Sequence, residues 1–444
     1  MNRAAFLIIA GLANNAAFAV PSQPPTFTKA IAPILYHNCT GCHRPDEVAP
    51  FPLLNYNDAR KHAKQIAKVT EKHFMPPWKA EPGFGDFANE RRLSEAEIGL
   101  IKAWYDAGAP EGIAADLPPL PKWTEGWTMG TPDLVLEPDR DYELAAEGRD
   151  VYRCFVIPTQ FSEERFIAAM EMRPGNRKVV HHVLTFVDTS GKARILDAQD
   201  SEPGYSTFGG VGFKNSGHLG GWAPGNFPER LPNGIGFRVP KGADLVLQVH
   251  YHKSGKPEKD RTKVGLYFAK GAIDKQVRVI PVAKLPLRIP ANESNFIVQA
   301  TLPVLFDATI YSVMPHMHLL GREMKVTAFL PDGTSHPLVH VPDWNFNWQT
   351  TYRFKKPMHL PRGSRVEMEA RFDNSAGNLA NPNNPPRLVT FGEQTTDEMC
   401  MAFLSYTVDA EQLTKGIAFN SLRDLAPGLR GPAKPKSTGA KKLD

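Results

Sequence analysis

Hydrophobic and polar residues follow two different patterns along this chain, and the change falls near residue 130. Before it, "NYNDARKHAKQIAKVTEKH" repeats its apolar positions at helical spacing. A second helix is predicted in "LSEAEIGLIKAWYDAGAP", with Ser94 as N-cap, Glu97 at the capping-box position, and Gly108 then Pro110 at the stop. After it come short β-branched and aromatic runs between Gly, Pro and Asn turns, among them "KVVHHVLTFVD", "DLVLQVHYHKSG", "ATIYSVMPHMHLLG" and "CMAFLSYTV". Such closely spaced strands predict antiparallel sandwiches or barrels. Roughly 290 residues is long for one sandwich, so two are expected, parting near 270–290. The Pro-rich "APEGIAADLPPLPKW" reads as the linker between the halves. The expected order is therefore an all-α domain over 24–113, a linker over 114–128, and two all-β, jelly-roll-like sandwiches over 129–275 and 280–420.

The ends of the chain add a compartment. Arg3, the apolar "AAFLIIAGLA" and the small-residue "AFA" at Ala17–Ala19 have the pattern of a secretory signal over 1–19. That run is too short to span a bilayer, and no later run reaches about 18 apolar residues. Export is expected, to the periplasm if the source is Gram-negative. The Pro/Gly/Lys-rich end over 428–444 reads as a disordered tail. Of the 444 residues, 42% are hydrophobic and 22% charged, as in ordinary globular chains. The net charge of +5 is spread without a basic stripe, which argues against a nucleic-acid partner.

Cysteines are few: Cys39, Cys42, Cys154 and Cys400. The first two stand in Cys39-Thr40-Gly41-Cys42-His43, the C-x-x-C-H attachment motif of a c-type haem. A chance match, a disulfide or half a zinc site are the bland alternatives. No second C-x-x-C exists, and a secretory signal precedes the motif. Two thioether bonds and His43 as an iron ligand make this half a small cytochrome c. The expected sixth ligand is Met75 in "KHFMPPWKA", because His/Met ligation suits electron transfer. His37, His62 and His73 are its rivals, each read as an exposed helix histidine. The segment looks like the small His/Met cytochromes, although its ligand spacing is short for them.

The β-rich half concentrates histidines in apolar strands. His316 and His318, two residues apart, share one strand face and could chelate a metal. His250 closes "DLVLQVHY". His181 and His182 are adjacent, so a regular strand would point them to opposite faces; only a bulge or a strand end would let both reach one ion. A single strand histidine is more often a hydrogen-bonded core residue than a ligand. Five in three apolar strands suggest metal, and imidazole suits copper, zinc or iron.

Taken together, "HHVLTF", "LQVHY", "MPHMHLLG" and "TTDEMCMAFLSY", with "VYRC", "GGWAPG" and "LPNGIGFRV" between them, resemble the copper type II, ascorbate-dependent monooxygenases over about residues 130–410. That family includes the peptidylglycine α-hydroxylating and dopamine β-monooxygenases. The resemblance implies two sandwiches facing each other across a solvent-filled cleft, each holding one copper. One copper would be held by His181, His182 and His250. The other would be held by His316, His318 and Met399, a residue that periodicity alone reads as core. The second set would activate dioxygen for C–H hydroxylation. The first would store and pass an electron, with Gln248 helping to connect the two. Positions that grip a substrate carboxylate in the peptide-amidating relatives are here Met314, Met401 and Phe403, which implies an apolar pocket. His252, His218, His336, His340 and His359 match no family ligand. Asp397 and Glu398 read as local hydrogen-bond acceptors, and Cys154 and Cys400 as either buried thiols or a pair. The expected function is an exported copper monooxygenase with two coppers and one covalent haem c, taking O2, a small organic substrate, and electrons from a donor protein or reductant. The alternative is a non-catalytic periplasmic protein that binds copper and transfers electrons.

Overall fold

The structure is a computed structural model that describes residues 23–45, 47–88, 90–123, 126–207 and 210–419. The expected signal over 1–19 and the expected tail over 428–444 lie outside the described residues. Chain contacts divide the molecule into two compact units.

In the first unit the regular elements are helical: a π turn Phe27–Ile31, then Ala32–Asn38, Tyr56–Lys61, Ala63–Glu71 and Glu95–Asp106, and a 3-10 turn Ala114–Asp116. Helix Glu95–Asp106 starts where Ser94 and Glu97 form a reciprocal capping box. Asn55 caps Tyr56–Lys61 by accepting from the Asp58 N–H at 3.0 Å. The pattern predicting one helix over 55–73 is met by two, broken at His62, whose ψ of 8° leaves the helical region. Phe27, Ile31, Leu35, Ile101 and Trp104 form the core of this unit.

The second unit is built of β-sheet. A five-stranded sheet, in the order Tyr205–Ser206, Val151–Pro158, Asp244–Tyr251, Val180–Asp188 and Gly217–Trp222, carries the first three histidines. It shares a core of Phe155, Val183, Leu247 and Val249 with Ile167, Met172, Val264 and Leu266 of a second five-stranded sheet. Farther along the chain, a four-stranded sheet has the order Arg278–Ala283, Cys400–Val408, Ala308–Met317 and Tyr352–Leu360. It packs against another, ordered Phe296–Pro303, Arg365–Phe372, Gly321–Phe329 and Ser335–Val341. Val313, Leu404, Val326 and Met368 lie in the shared core. The alternation of buried and half-buried residues along Cys400–Val408 is the period of two expected of a strand with one face in a core. Cys154 and Cys400 are both buried free thiols, which answers the alternative left open by the sequence. Among the described residues, no helix is long and apolar enough to cross a membrane.

One segment departs from the expected layout. Residues 77–92, which the sequence groups with the helices, belong to the second unit. The cause is hydrophobic: Trp78, Ala80 and Phe87 are buried in the core of the second sandwich. Trp78 meets Tyr352 edge-on with ring centroids 5.0 Å apart, and Phe87 forms an isolated antiparallel bridge with Phe354. Backbone N–H groups add ties, from Glu81 to His340 O and from Ala88 to Arg353 O, each 2.8 Å. The chain thus leaves the helical unit after Pro76, crosses the second sandwich as a strap, and re-enters the helical unit at Leu93.

Candidate metal centres

Strands Val180–Asp188 and Asp244–Tyr251 pair antiparallel, with Val180 opposite Tyr251 and then His182 opposite His250. The register shifts between Val180 and His182, so His181 is the extra residue of a bulge. That bulge removes the geometric objection to two adjacent histidines serving one ion. The ligand atoms of His181, His182 and His250 all lie within 4.8 Å of one another. The His182 Nδ1 is 3.3 Å from the Nδ1 of His181 and 3.4 Å from that of His250.

The electrostatics of this set favour a cation. The Nε2 of His250 lies 3.0 Å from Asp150 Oδ2, an acceptor, so Nε2 carries the proton and Nδ1 presents a lone pair. A hydrogen bond between two of three gathered nitrogens would leave the third unpaired, whereas one metal ion satisfies all three. Burial, then the neighbouring imidazoles, pulls His181 down to about 3 and His182 well below its ordinary value. Burial also lowers His250, against the pull of Asp150. All three rings are therefore neutral at neutral pH, the form that binds metal. Tyr152 stacks on His250 with centroids 4.2 Å apart and holds the ring flat.

His316 and His318 end strand Ala308–Met317 and meet at right angles, 5.2 Å between centroids. Here Nδ1 is occupied: on His316 it bonds Gln349 Oε1 at 2.8 Å, and on His318 it bonds Asp397 O at 3.1 Å. Both acceptors fix the proton on Nδ1, and Nε2 is the atom each ring has left to offer. Burial lowers His316 to about 4 and His318 to about 3. Met317 pairs with Cys400 across the ladder, and Met399 is the half-buried residue just before that strand. Glu398 fixes this corner: its carboxylate accepts from the N–H of His318, of Leu320 at 3.0 Å and of Met399 at 2.9 Å. Burial pushes Glu398 up to about 8, although those same N–H groups pull the other way. Asp397 and Glu398 are thus the local acceptors expected. Met314, Met401 and Phe403 are half-buried around His316: Met314 pairs with Phe403, and Met401 with His316.

The two sets are not separated by solvent alone, as the resemblance implied. The Phe346 ring stacks on His181 at 4.6 Å and stands edge-on to His318 at 5.6 Å. Gln349 donates to Phe346 O at 3.2 Å while accepting from His316, so one loop supports both sets. Asp150, Phe346 and Gln349 gave no signal in the sequence, and Thr395 stood in the quoted "TTDEMCMAFLSY" with no role assigned to it. The site partners of these residues lie 28 to 245 residues away, and Asp150 stands just before the quoted "VYRC". Gln248 is buried, and its side-chain amide donates to Gly210 O at 3.1 Å.

The remaining histidines keep structural roles. His340 sits between Glu81 and Glu323, and His359 bonds Asp409 at 2.8 Å. His218 is packed near Phe186, 4.9 Å between rings.

In the helical unit, Cys39 to His43 form one tight turn, with the N–H of Cys42 and of His43 donating to Cys39 O. His43 Nδ1 bonds Phe51 O at 3.0 Å, which leaves Nε2 as its available ligand atom. Met75 is half-buried, and its N–H donates to Val69 O. His37 and His73 are exposed, while His62 stacks on Phe51 at 3.8 Å.

Comparison with known proteins bears on the chemistry of the second unit. Residues 291–421 match the family model of the copper type II ascorbate-dependent monooxygenases, C-terminal domain. The match supports that family for this chain. It spans the second histidine set and Met399. The human "DBH-like monooxygenase protein 1" is 22% identical over 359 residues, covering 72% of this chain and 56% of the relative. Its chicken counterpart is 20% identical over 357 residues, with 72% and 55% covered. The chain thus spans little more than half the length of these relatives. Among solved structures, PNGF-II superposes with a TM-score of 0.27 at 9% identity, over 61% of this chain and 65% of that one, too loosely to carry a fold comparison.

Proposed function

We propose that this chain is an exported copper-dependent monooxygenase that hydroxylates a C–H bond of a small apolar substrate, with electrons supplied through a covalently attached haem c. The observation that carries the copper reading is the pair of neutral imidazole sets in one unit, the second tied to the backbone of Met399, a thioether residue, through the Glu398 carboxyl that accepts from both His318 and Met399. A Met thioether with two imidazoles favours Cu(I), the reduced ion that reacts with dioxygen. Copper held there supplies the one-electron chemistry that puts one atom of O2 into a C–H bond.

The chain's own residues set the conditions. His181, His182 and His250 offer three Nδ1 atoms, and His316, His318 and Met399 two Nε2 atoms and a sulfur. Gln349 and the Asp397 carbonyl lock the second pair of rings. Met314, Met401 and Phe403 give an apolar wall beside His316 that excludes water and offers no charged donor, so a substrate carboxylate has nothing to bind. Gln248 is offered as part of the route between the sets. On the helical side, Cys39 and Cys42 would attach haem, His43 would ligate through Nε2, and Met75 would take the sixth position. A signal over 1–19 would direct export.

The test is oxygen uptake by the full chain, copper-loaded and haem-containing, with a reductant and a panel of apolar, aromatic and glycine-extended peptide substrates. One labelled oxygen atom from 18O2 should enter an apolar product. Uptake that fails across the panel while both sets hold copper would favour the alternative, a copper-binding electron-transfer protein.

A further inference from the structure

The carboxylate of Asp150 has a position that neither the family match nor the ligand sets account for. Asp150 directly precedes strand Val151–Pro158 and is half-buried. A single oxygen, Oδ2, faces two donors: the Nε2 of His250 at 3.0 Å and the hydroxyl of Thr395 at 2.6 Å. Burial alone would raise this carboxyl, but the bonds from His250 and Thr395 hold it below the usual range, so it stays anionic.

Thr395 belongs to the segment that ends at Met399. Two residues on, the Asp397 carbonyl fixes His318, and Glu398 then holds the N–H groups of His318 and Met399. The same segment reaches the first sandwich at two further points: the Tyr152 hydroxyl donates to Glu393 O, and the Gly210 N–H donates to Glu393 Oε1 at 2.7 Å. Tyr152 is itself the ring stacked on His250. Asp150 thus stands where the support of one set meets the segment that carries the other.

We propose that Asp150 is a positioning residue: it holds His250 with Nε2 protonated and Nδ1 bare toward His181 and His182, and through Thr395 it makes the two metal sets interdependent. A carboxylate behind a ligating imidazole fixes its tautomer and raises its basicity. The copper part of this proposal rests on the reading of the first set as a metal site; the tautomer does not.

Two measurements on the full chain separate these. In the metal-free protein, 15N NMR of His250 should show the Nε2-protonated ring, and Asp150→Ala should lose that preference. An Nδ1-protonated His250, or a tautomer indifferent to Asp150→Ala, overturns the proposal whether or not the protein binds copper. In copper titrations, Asp150→Ala should weaken the first set about ten- to hundredfold and change its Cu(II) EPR hyperfine pattern, with Asp150→Glu restoring part of both. Unchanged affinity and spectrum would overturn it. Thr395→Val should leave the tautomer in place and yet weaken Cu(I) binding at the second set about fivefold or more. An unaltered second set would overturn the link between the sites. If no copper were retained, the metal reading would fall, while the NMR result would still decide the role of Asp150.

Discussion

Met399, as proposed, differs from the five histidines in kind, since it would bring a soft sulfur to a set that otherwise offers only imidazole nitrogen. Met399→Ile keeps the bulk and removes the donor. It should cost the second set no less than the roughly ten- to hundredfold typical of outer-shell losses, and stop oxygen uptake. The first set's Cu(II) spectrum should be untouched; full hydroxylation by Met399→Ile would refute the assignment. His218 adds to the response to acid alongside the five strand histidines, which burial also lowers. Burial lowers His218 to about 4, and its Nε2 has no hydrogen-bond partner. An unfolded imidazole takes up a proton near pH 6.5, so between pH 6.5 and 4 the unfolded chain binds a proton that the folded chain refuses. Stability therefore falls as pH falls through that window, by up to roughly 3 kcal/mol from this residue. His218→Phe should make that part of the curve shallower in urea melts run across the range; equal slopes for both proteins would contradict it. The residue scale is also where the sequence was least legible. Each candidate histidine could be named, but the bulge at His181 depends on pairing with a strand some 65 residues on, and the role proposed for Asp150 depends on a donor 245 residues away.

Elements whose signals are local were read well. The capping box at Ser94 and the stop before Gly108 need only neighbouring residues, and both are formed. The strap Pro77–Arg92 was missed because it contains almost no regular structure, and its allegiance is set by a distant core. Trp78 and Phe87 were the available hint, two large aromatics in a Pro- and Gly-rich stretch with no helical or strand period. Truncating either should show where the strap belongs. Trp78→Ala is expected to destabilise the β unit by about 3–5 kcal/mol, the usual cost of emptying a large aromatic site. Calorimetry that resolves the two units should place that loss in the β transition. A shift confined to the helical transition would contradict the assignment.

For the whole molecule, the expected composition is one haem and two coppers per chain, measurable by pyridine haemochrome and metal analysis. If the haem is the electron source, Cys39→Ala with Cys42→Ala should abolish turnover with a protein donor while leaving copper content intact. Equal rates with and without haem would assign the helical unit another role, such as docking. The two-part architecture was readable because helix and strand impose different periods, yet the boundary was not, because composition marks linkers and not interlaced chains. The strap has a genetic corollary. A coding sequence cut at the Pro-rich linker would look like a clean separation of modules, but the downstream fragment would lack Trp78, Ala80 and Phe87 of its own core. A gene that keeps the β unit without the strap would therefore need a second change to refill the core sites those three residues occupy.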